Sequence, residues 1–149
     1  MYTRIVVGTD GSPTANEAVR HAASLAKATG ATLHIVHAFQ PTPAMASIGI
    51  DAGAAALAAG SAEEAERQAR AVLDQSTKVA QEEGATAEGH LAATDPASAL
   101  LDTAERLDAD LLVVGNKGMS GVKRFVLGSV PNKVSHHAPC SLLIVNTST

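Results

Sequence analysis

One segment of the sequence combines glycine and serine residues at a spacing suited to binding phosphate. Residues Gly115–Gly118 read GNKG, and Gly128-Ser129 follows after nine further residues. Glycine lets the main chain adopt positive φ and lets phosphate oxygens approach backbone N–H groups closely. A serine at the start of a helix adds a hydroxyl to the free N–H groups there, where the helix dipole favours an anion. The pattern predicts a phosphate-binding loop.

Three cationic side chains lie in or near this loop and would offset phosphate charge: Lys117, Lys123 and Arg124. The alternative is a glycine-rich turn followed by a serine N-cap, which any α/β protein can contain. Neither the G-x-x-x-x-G-K-[ST] loop of motor-type NTPases nor the G-x-G-x-x-G turn of dinucleotide dehydrogenases occurs in the sequence. The S-G-G-x-D-S pattern of ATP pyrophosphatases is not matched either, so these enzyme classes are disfavoured.

Asp10 lies directly after the first apolar run, in the segment IVVGTDGS. An aspartate before Gly-Ser often only forms a turn, by accepting hydrogen bonds from local backbone. Beside a bound nucleotide, the same carboxylate would bind a ribose hydroxyl or face Mg²⁺, which takes oxygen ligands. Both interpretations place Asp10 in the loop that follows the first strand.

The histidines and the single cysteine show no spacing typical of a metal or catalytic site. His34 and His37 are three residues apart on a predicted strand, so their side chains point to opposite faces. His136-His137 lies near a predicted helix end, where an imidazole interacts favourably with the helix dipole. Cys140 has no identifiable activating partner and is expected to be a passive small side chain.

Five short apolar runs are predicted to be strands. They are Ile5–Val7, Leu33–Ala38, Thr86–Leu91, Leu111–Val114 and Leu142–Val145. The first, fourth and fifth runs are continuous rather than alternating, as in strands that are covered on both faces. The runs therefore favour a parallel sheet between two layers of helices.

The segments between the runs have helical periodicity and recognisable ends. The predicted starts are Ser12-Pro13, a Ser61–Glu64 capping box, Asp95-Pro96 and Ser129, and the predicted ends include Gly30, Gly84 and the residue before Pro139. Gln40–Gly60 is rich in Ala, Gly and Pro and is predicted to be a flexible excursion, a mobile connection with some frayed helix, with a flap over the site as the alternative. The alternation of strands and helices predicts one three-layer, doubly wound α/β domain over residues 1–149.

Composition excludes several classes of protein. The chain has 149 residues, a net charge of −4 and scattered Lys and Arg residues, which disfavours nucleic acid as the main partner. The single cysteine cannot form an intramolecular disulfide. The N-terminal apolar run is too short for a signal peptide, and no run approaches the length of a membrane span. The chain is therefore expected to be cytoplasmic.

Four stretches of the chain resemble the ATP-binding branch of the universal stress protein family. They are the opening IVVGTDGS, the strand LHIVHAF, the block DADLLVVGNKG and the closing GSVPNKVSHHAPCSLLIV. The G-x-x-G, nine residues, G-S/T motif of that branch is matched without a spacing change by Gly115, Gly118, Gly128 and Ser129. Thr94, where many relatives have glycine, and Ser141, where proline is common, depart from the family pattern.

The resemblance implies a five-stranded parallel sheet in the order 3-2-1-4-5, of the adenine nucleotide alpha hydrolase type. In such a sheet the chain reverses direction between strands 1 and 4, and ligands bind at the carboxyl ends of those strands. The nucleotide-binding residues that it implies are Gly8, Thr9, Asp10, Ala38, Gly115, Lys117, Gly118, Arg124, Gly128, Ser129 and Val130. The glycines and Ser129 would hold phosphates and ribose, and the main chain at Ala38 would read the adenine edge.

The function implied by the resemblance is that of an ATP-binding regulatory or stress-response protein with slow hydrolysis at most. Its ligand would be ATP, ADP, AMP or cyclic AMP, with Mg²⁺ facing Asp10. The alternatives are a domain for cyclic AMP or another adenine ligand, a protein-interaction module, or a genuine ATPase or phosphotransfer enzyme, although no general base is evident near the loop. Family members commonly pair their last strands, so the uncharged edge Leu142–Val145 is expected to form a homodimer.

Overall fold

The computed structural model of the chain describes residues 1–41, 52–117 and 127–147, with main chain only for residues 52–59. Five strands and four helices alternate along the described chain. They are β1 (Arg4–Gly8), α1 (Pro13–Thr29), β2 (Thr32–Ala38), α2 (Ala52–Glu82), β3 (Thr86–Ala92), α3 (Pro96–Arg106), β4 (Leu111–Gly115), α4 (Ser129–His137) and β5 (Ser141–Val145). Every predicted strand is present, with bounds that differ from the apolar runs by one residue or two.

The five strands form one parallel sheet in the order β3-β2-β1-β4-β5. One apolar cluster joins α1 and α2 to the residues of one sheet face, and a second joins α3 and α4 to the residues of the other. The three-layer, doubly wound fold and the order 3-2-1-4-5 are therefore confirmed.

Small side chains bring the helices close to the sheet. The buried residues of α1 are four alanines and one valine: Ala18, Val19, Ala22, Ala23 and Ala26. The central strands contribute the larger side chains, among them Ile5, Leu33 and Leu112, which are fully buried. Aliphatic packing of this kind fills the core of a chain in which aromatic residues are only 2%.

Three predicted helix ends are confirmed. Ser12 caps α1, with its hydroxyl accepting a hydrogen bond from the Ala15 N–H, and Gly30 ends the helix at φ 75°. Asp95 caps α3 in the same way, by accepting from the Ser98 N–H at 3.0 Å. A proline follows each cap, where its missing N–H costs nothing.

The predicted start of the second helix is wrong. Ser61 and Glu64 lie inside α2, which begins at Ala52, and the Glu64 carboxylate pairs with Arg67 and Gln68. The reason is the high helix propensity of the alanines in residues 52–59, which carries the helix through a segment that lacks a clear hydrophobic period. The predicted flexible excursion Gln40–Gly60 is thus helical from residue 52 onward, and its residues 42–51 lie outside the described residues.

In the described part of the chain, we find no helix that combines the length and the apolar character needed to cross a membrane.

Asp110 ties the amino ends of the two central strands together. Its Oδ2 accepts hydrogen bonds from the Thr3 hydroxyl at 2.7 Å, the Arg4 N–H at 2.8 Å and the Thr3 N–H at 2.6 Å. These bonds stabilise the charged carboxylate and hold the pKa of Asp110 at about 2, below its ordinary value of 3.8. Because the folded pKa is depressed, this stabilisation is complete above about pH 4 and is lost as the pH falls through about 2.

We therefore expect Asp110→Asn to flatten the acid limb of the stability profile. The melting temperature of the wild type should fall more steeply than that of the variant between about pH 4 and pH 2. Thermal unfolding followed by circular dichroism at half-unit pH steps measures the difference. Asp74→Asn, at an exposed position of α2, is the matched control. If the wild type and Asp110→Asn lost stability in parallel as the pH falls, the stabilising role of the ionised Asp110 carboxylate would be contradicted.

Candidate functional site

A cavity of about 490 Å³ opens where β1 and β4 end side by side. Nine of the residues predicted from the sequence line it: Gly8, Thr9, Asp10, Ala38, Gly115, Lys117, Gly128, Ser129 and Val130. The other two, Gly118 and Arg124, lie outside the described residues, as does Lys123. The fold therefore gathers the described candidates, from four separate stretches of the chain, around one space.

The position of the cavity follows from the order of the strands. The chain places β2 on one side of β1 and β4 on the other. The loops after β1 and β4 therefore lead to helices on opposite faces of the sheet and leave a crevice between them. The volume falls within the range of small-molecule sites.

One wall of the cavity is aliphatic. Val36, Leu100 and Val114 are buried core residues whose side chains reach the space from β2, α3 and β4, and Pro96 adds an apolar ring. Leu100 also packs within 3.0 Å of the position that a Cβ on Gly8 would occupy. This wall suits a flat apolar group and offers little to an anion.

Hydrogen bonds hold the loop after β1 in place. The Thr9 N–H donates to the Val36 carbonyl at 2.9 Å, and a ring nitrogen of His37 lies 2.9 Å from the Thr9 carbonyl. The Thr9 hydroxyl bonds to the Ser76 hydroxyl of α2 at 2.9 Å and accepts from the Gly11 N–H. The Thr9 side chain therefore anchors the loop, while the residue still borders the cavity.

Asp10 is exposed at the mouth of the cavity and forms the turn expected of an aspartate before Gly-Ser. Its Oδ1 accepts a hydrogen bond from the Ser12 N–H at 2.9 Å. Gly11 completes the turn at φ 80°, a conformation that favours glycine. The turn uses one carboxylate oxygen and directs the acidic group toward the space between β1 and β4.

Gly115 and Gly128 do not have the positive φ expected of them, whereas Ser129 begins α4 as predicted. Gly128 has φ −58°, which any residue can adopt, and Gly115 is not among the positive-φ glycines of the described chain. A Cβ on Gly128 would meet the Asn116 carbonyl oxygen at 3.4 Å, an ordinary contact. The expectation that these two glycines supply positive φ is therefore wrong, and what they contribute is a stretch of cavity wall without side chains.

The amino end of α4 faces the cavity with free donors. Gly128, not Ser129, is the N-cap, so the serine N-cap of the alternative interpretation is wrong and the Ser129 hydroxyl is not used for capping. The N–H groups of Ser129 and Val130 belong to the first turn, where no intrahelical acceptor exists. Together with the helix dipole, these groups form an arrangement that favours an anion.

Asn116 supports the loop after β4, a role that sequence reasoning missed. Its Oδ1 accepts hydrogen bonds from the N–H and the hydroxyl of Thr147, both at 2.9 Å. Its backbone N–H donates to the Val145 carbonyl, and its carbonyl accepts from the Gly128 N–H at 3.1 Å. Asn116 thus ties both ends of the glycine motif to the segment after β5. The one sequence signal that pointed to this residue is its position within GNKG.

Two titratable side chains, Asp10 and Lys117, are found among the described residues that line the cavity. One acidic and one cationic side chain beside the cavity are suited to binding a ligand and compensating its charge. They do not form a hydrogen-bonded pair of nucleophile and base of the kind that covalent catalysis requires.

The remaining candidates of the sequence lie elsewhere. His34 and His37 lie three residues apart on β2, so their side chains point to opposite faces of the sheet, as predicted. His37 contacts the Thr9 carbonyl, and His34 contacts His90 of β3. Cys140 is half-buried, and burial raises the pKa of its thiol, in keeping with a passive role. The contact of His34 with His90 joins two strands and was not expected from spacing along the chain.

A doubly wound parallel sheet with a cavity at its switch point defines a ligand-binding α/β domain. Residues 1–146 match the universal stress protein family. A universal stress protein of Mycobacterium tuberculosis is 37% identical over 150 residues, which cover 99% of this chain and 98% of that protein. The chain belongs to the universal stress protein family.

Two solved structures resemble the chain over nearly its whole length. A universal stress protein in complex with cAMP is 35% identical, with a TM-score of 0.72 and coverage of 99% of this chain and 98% of that one. The universal stress protein from Archaeoglobus fulgidus in complex with dAMP is 26% identical, with a TM-score of 0.70 and coverage of 97% and 98%. Both resemblances extend over all five strands of the sheet.

Proposed function

We propose that the protein binds an adenine nucleotide, with ATP as its ligand, and acts as a nucleotide-dependent regulatory protein of the stress response in the cytoplasm. The observation that carries the proposal is the division of the cavity into an aliphatic wall and a glycine-serine end. Val36, Leu100 and Val114 form the wall, and Gly128 and Ser129 form the other end. A nucleotide has the same division, because its base is flat and largely apolar at its faces and its phosphates are anionic.

In the proposed complex the base lies along the aliphatic wall and the phosphates meet the amino end of α4. Ala38, at the end of β2, borders the apolar part, where its main-chain groups would read the adenine edge. The N–H groups of Ser129 and Val130 and the ammonium of Lys117 would bind phosphate oxygens. Gly118 and Arg124 belong to the same proposed set, on the basis of the sequence motif alone.

The proposed role of Asp10 is to face a Mg²⁺ ion carried by ATP. Carboxylate oxygens are ligands that Mg²⁺ prefers, and Asp10 is the acidic residue among the described cavity-lining residues. Its Oδ1 accepts one hydrogen bond from Ser12, which leaves Oδ2 and one lone pair of Oδ1 for the ion or for a ribose hydroxyl. Since the lining offers no second carboxylate as a base among the described residues, we propose hydrolysis that is slow at most.

Cyclic AMP is the second candidate ligand. The observation that favours it is the 35% identical universal stress protein whose structure is a complex with cAMP. A cyclic monophosphate carries one negative charge and would use the amino end of α4 without needing Mg²⁺. In both complexes the adenine base would lie along the aliphatic wall. The two ligands differ in the negative charge that they bring to Lys117 and Asp10.

The first experiment is to denature freshly purified protein by heat and to identify the released small molecules by chromatography and mass spectrometry. We expect an adenine nucleotide close to one per chain. Displacement of a fluorescent adenine nucleotide by ATP with Mg²⁺ and by cAMP then ranks the two candidates. An empty supernatant, together with no displaceable binding of ATP, ADP or cAMP, would contradict the proposal and leave a protein-interaction module as the better interpretation.

Gly128→Ala tests the approach of phosphate to the main chain. The added methyl group fits the free protein, because its contacts begin at 3.4 Å, and the loss of a preferred N-cap costs about 1 kcal/mol of stability. We expect nucleotide affinity to fall by about tenfold to a hundredfold, the loss of one charge-assisted hydrogen bond. Titration calorimetry measures the affinity, and circular dichroism checks the fold.

The matched control is Gly60→Ala, which makes the same change in an exposed turn of α2 where a Cβ meets nothing within 4 Å. This variant should bind nucleotide as the wild type does and be more stable by roughly 0.5–1 kcal/mol. Equal affinities of a folded Gly128→Ala variant and the control would remove the phosphate-binding role of Gly128.

We also propose a homodimer that pairs the edge strand β5. Leu143 and Ile144 are 38% and 37% exposed on this strand, and an uncovered apolar edge favours pairing with another chain. Light scattering at micromolar concentration should give twice the mass of the chain. Ile144→Lys should shift the protein to monomers, whereas Ala28→Lys, on an exposed part of α1, should not. A monomeric wild type would contradict this proposal without affecting nucleotide binding.

A further inference from the structure

A cluster of three metal-ligating side chains lies one strand away from the crevice. His34 of β2 and His90 of β3 are in contact, with 3.0 Å between Nδ1 of His34 and Nε2 of His90. The Glu88 carboxylate lies 3.7 Å from the same His34 nitrogen. All three ligand atoms lie within 4.8 Å of one another. None of the three residues lines the crevice between β1 and β4.

The register of β2 and β3 creates this cluster. His34 pairs with Glu88, and His90 lies two residues further along β3, beside Val36. Residues two apart on a strand share a face, so all three side chains project from the same side of the sheet as α3. The cluster is therefore fixed by strand pairing rather than by the chance approach of surface loops.

We propose that His34, Glu88 and His90 form a binding site for a divalent transition metal, with Zn²⁺ as the ion that suits it best. The ligand set is two imidazole nitrogens and one carboxylate oxygen. Zinc takes this set in sites that keep the fourth tetrahedral position open for water or another ligand. The proposal is independent of nucleotide binding.

The distances suit a tetrahedral ion. Zinc bonds of about 2.0–2.1 Å place neighbouring ligand atoms about 3.3 Å apart. The separations of 3.0 Å and 3.7 Å fall on either side of this value. The Glu88 side chain is 62% exposed and can rotate to close the third side, whereas His34 is 8% exposed and held by its surroundings. One fixed ligand and two adjustable ones allow the ion to enter from solvent.

Entry is open on the side of β3. His90 borders a surface depression that also contains Thr94, Asp102 and Arg106. An ion bound by the cluster could therefore complete its coordination with water. Thr94, one of the two residues that depart from the family pattern, lies in this depression and not in the crevice.

The electrostatic surroundings favour neutral imidazoles. Burial lowers the pKa of His34, and burial followed by the charge of His34 lowers the pKa of His90, so both rings are available as ligands near neutral pH. Arg106 acts on both rings in the same direction, and Arg4 acts on His34, while Glu88 opposes them. The two guanidinium groups weaken the attraction for a cation, and the Glu88 carboxylate offsets part of their charge.

The competing explanation is a hydrogen-bonded histidine pair with no metal. The rings are 5.1 Å apart between centroids and tilted by 47°, which also fits one ring donating to the other. Such a pair needs no carboxylate, so the effect of substituting Glu88 distinguishes the two explanations. A metal site loses affinity when Glu88 is removed, whereas a simple pair has no zinc affinity to lose.

The test is a titration of the full chain, without an affinity tag and stripped by a chelator, with Zn²⁺ in competition with a chromophoric chelator. We expect one zinc ion per chain. Glu88→Gln and His90→Asn should each weaken binding by at least tenfold, since the loss of a residue that only orients a metal ligand already costs about tenfold to a hundredfold. Both residues are more exposed than His34, so circular dichroism and the melting temperature should report a folded protein for at least one of the two variants.

The matched control is a variant with His136→Asn and His137→Asn, because these exposed neighbours form the other close pair of histidine rings among the described residues. It should bind zinc as the wild type does. Cobalt absorption bands typical of tetrahedral coordination should appear with the wild type and the control and disappear in His90→Asn. The proposal would be overturned if the wild type did not bind zinc. It would also be overturned if the control lost zinc binding while a folded Glu88→Gln or His90→Asn variant kept it.

Discussion

The crevice depends on one constraint, the reversal of the strand order at β1. The strands β2 and β3 are added on one side of β1, and β4 and β5 are added on the other. All five strands are parallel, so their carboxyl ends lie along one edge of the sheet. The connections after β1 and β4 lead to helices on opposite faces of the sheet, which leaves a gap between Gly8 and Gly115 at the carboxyl ends of the two strands. The loop after β1 and the amino end of α4 acquire their positions from this gap. A sheet with the strands in simple sequential order would separate the same residues.

The near absence of aromatic residues has a consequence for the site as well as for the core. Alanines let α1 lie close to the sheet, and valine and leucine fill the space between the layers. The described residues of the crevice are aliphatic, polar or charged, without an aromatic ring. A bound base would make dispersion contacts with side chains such as Leu100 and Val114.

The elements that were predictable from the sequence carry local signals. Continuous apolar runs marked β1, β4 and β5, and side-chain caps with a following proline marked the starts of α1 and α3. Where the local signal was ambiguous, the prediction failed. The Ser61–Glu64 pattern looks like a capping box, but a helix already under way needs no cap at that point, and the preceding alanines sustain it. Nine of the site residues implied by the family resemblance line one cavity, because the segments that carry them end at the same edge of the parallel sheet.

The features that escaped prediction depend on contacts between distant residues. The bonds from Thr147 to Asn116 cross 31 positions, and the contact of His34 with His90 crosses 56. Register decides both, and a shift of one residue would turn Glu88 and His90 to the other face of the sheet. The two proposed sites differ in this respect. The crevice is formed by strand ends and main-chain N–H groups, so many sequences can preserve it, whereas the histidine-glutamate cluster requires three particular side chains in one register.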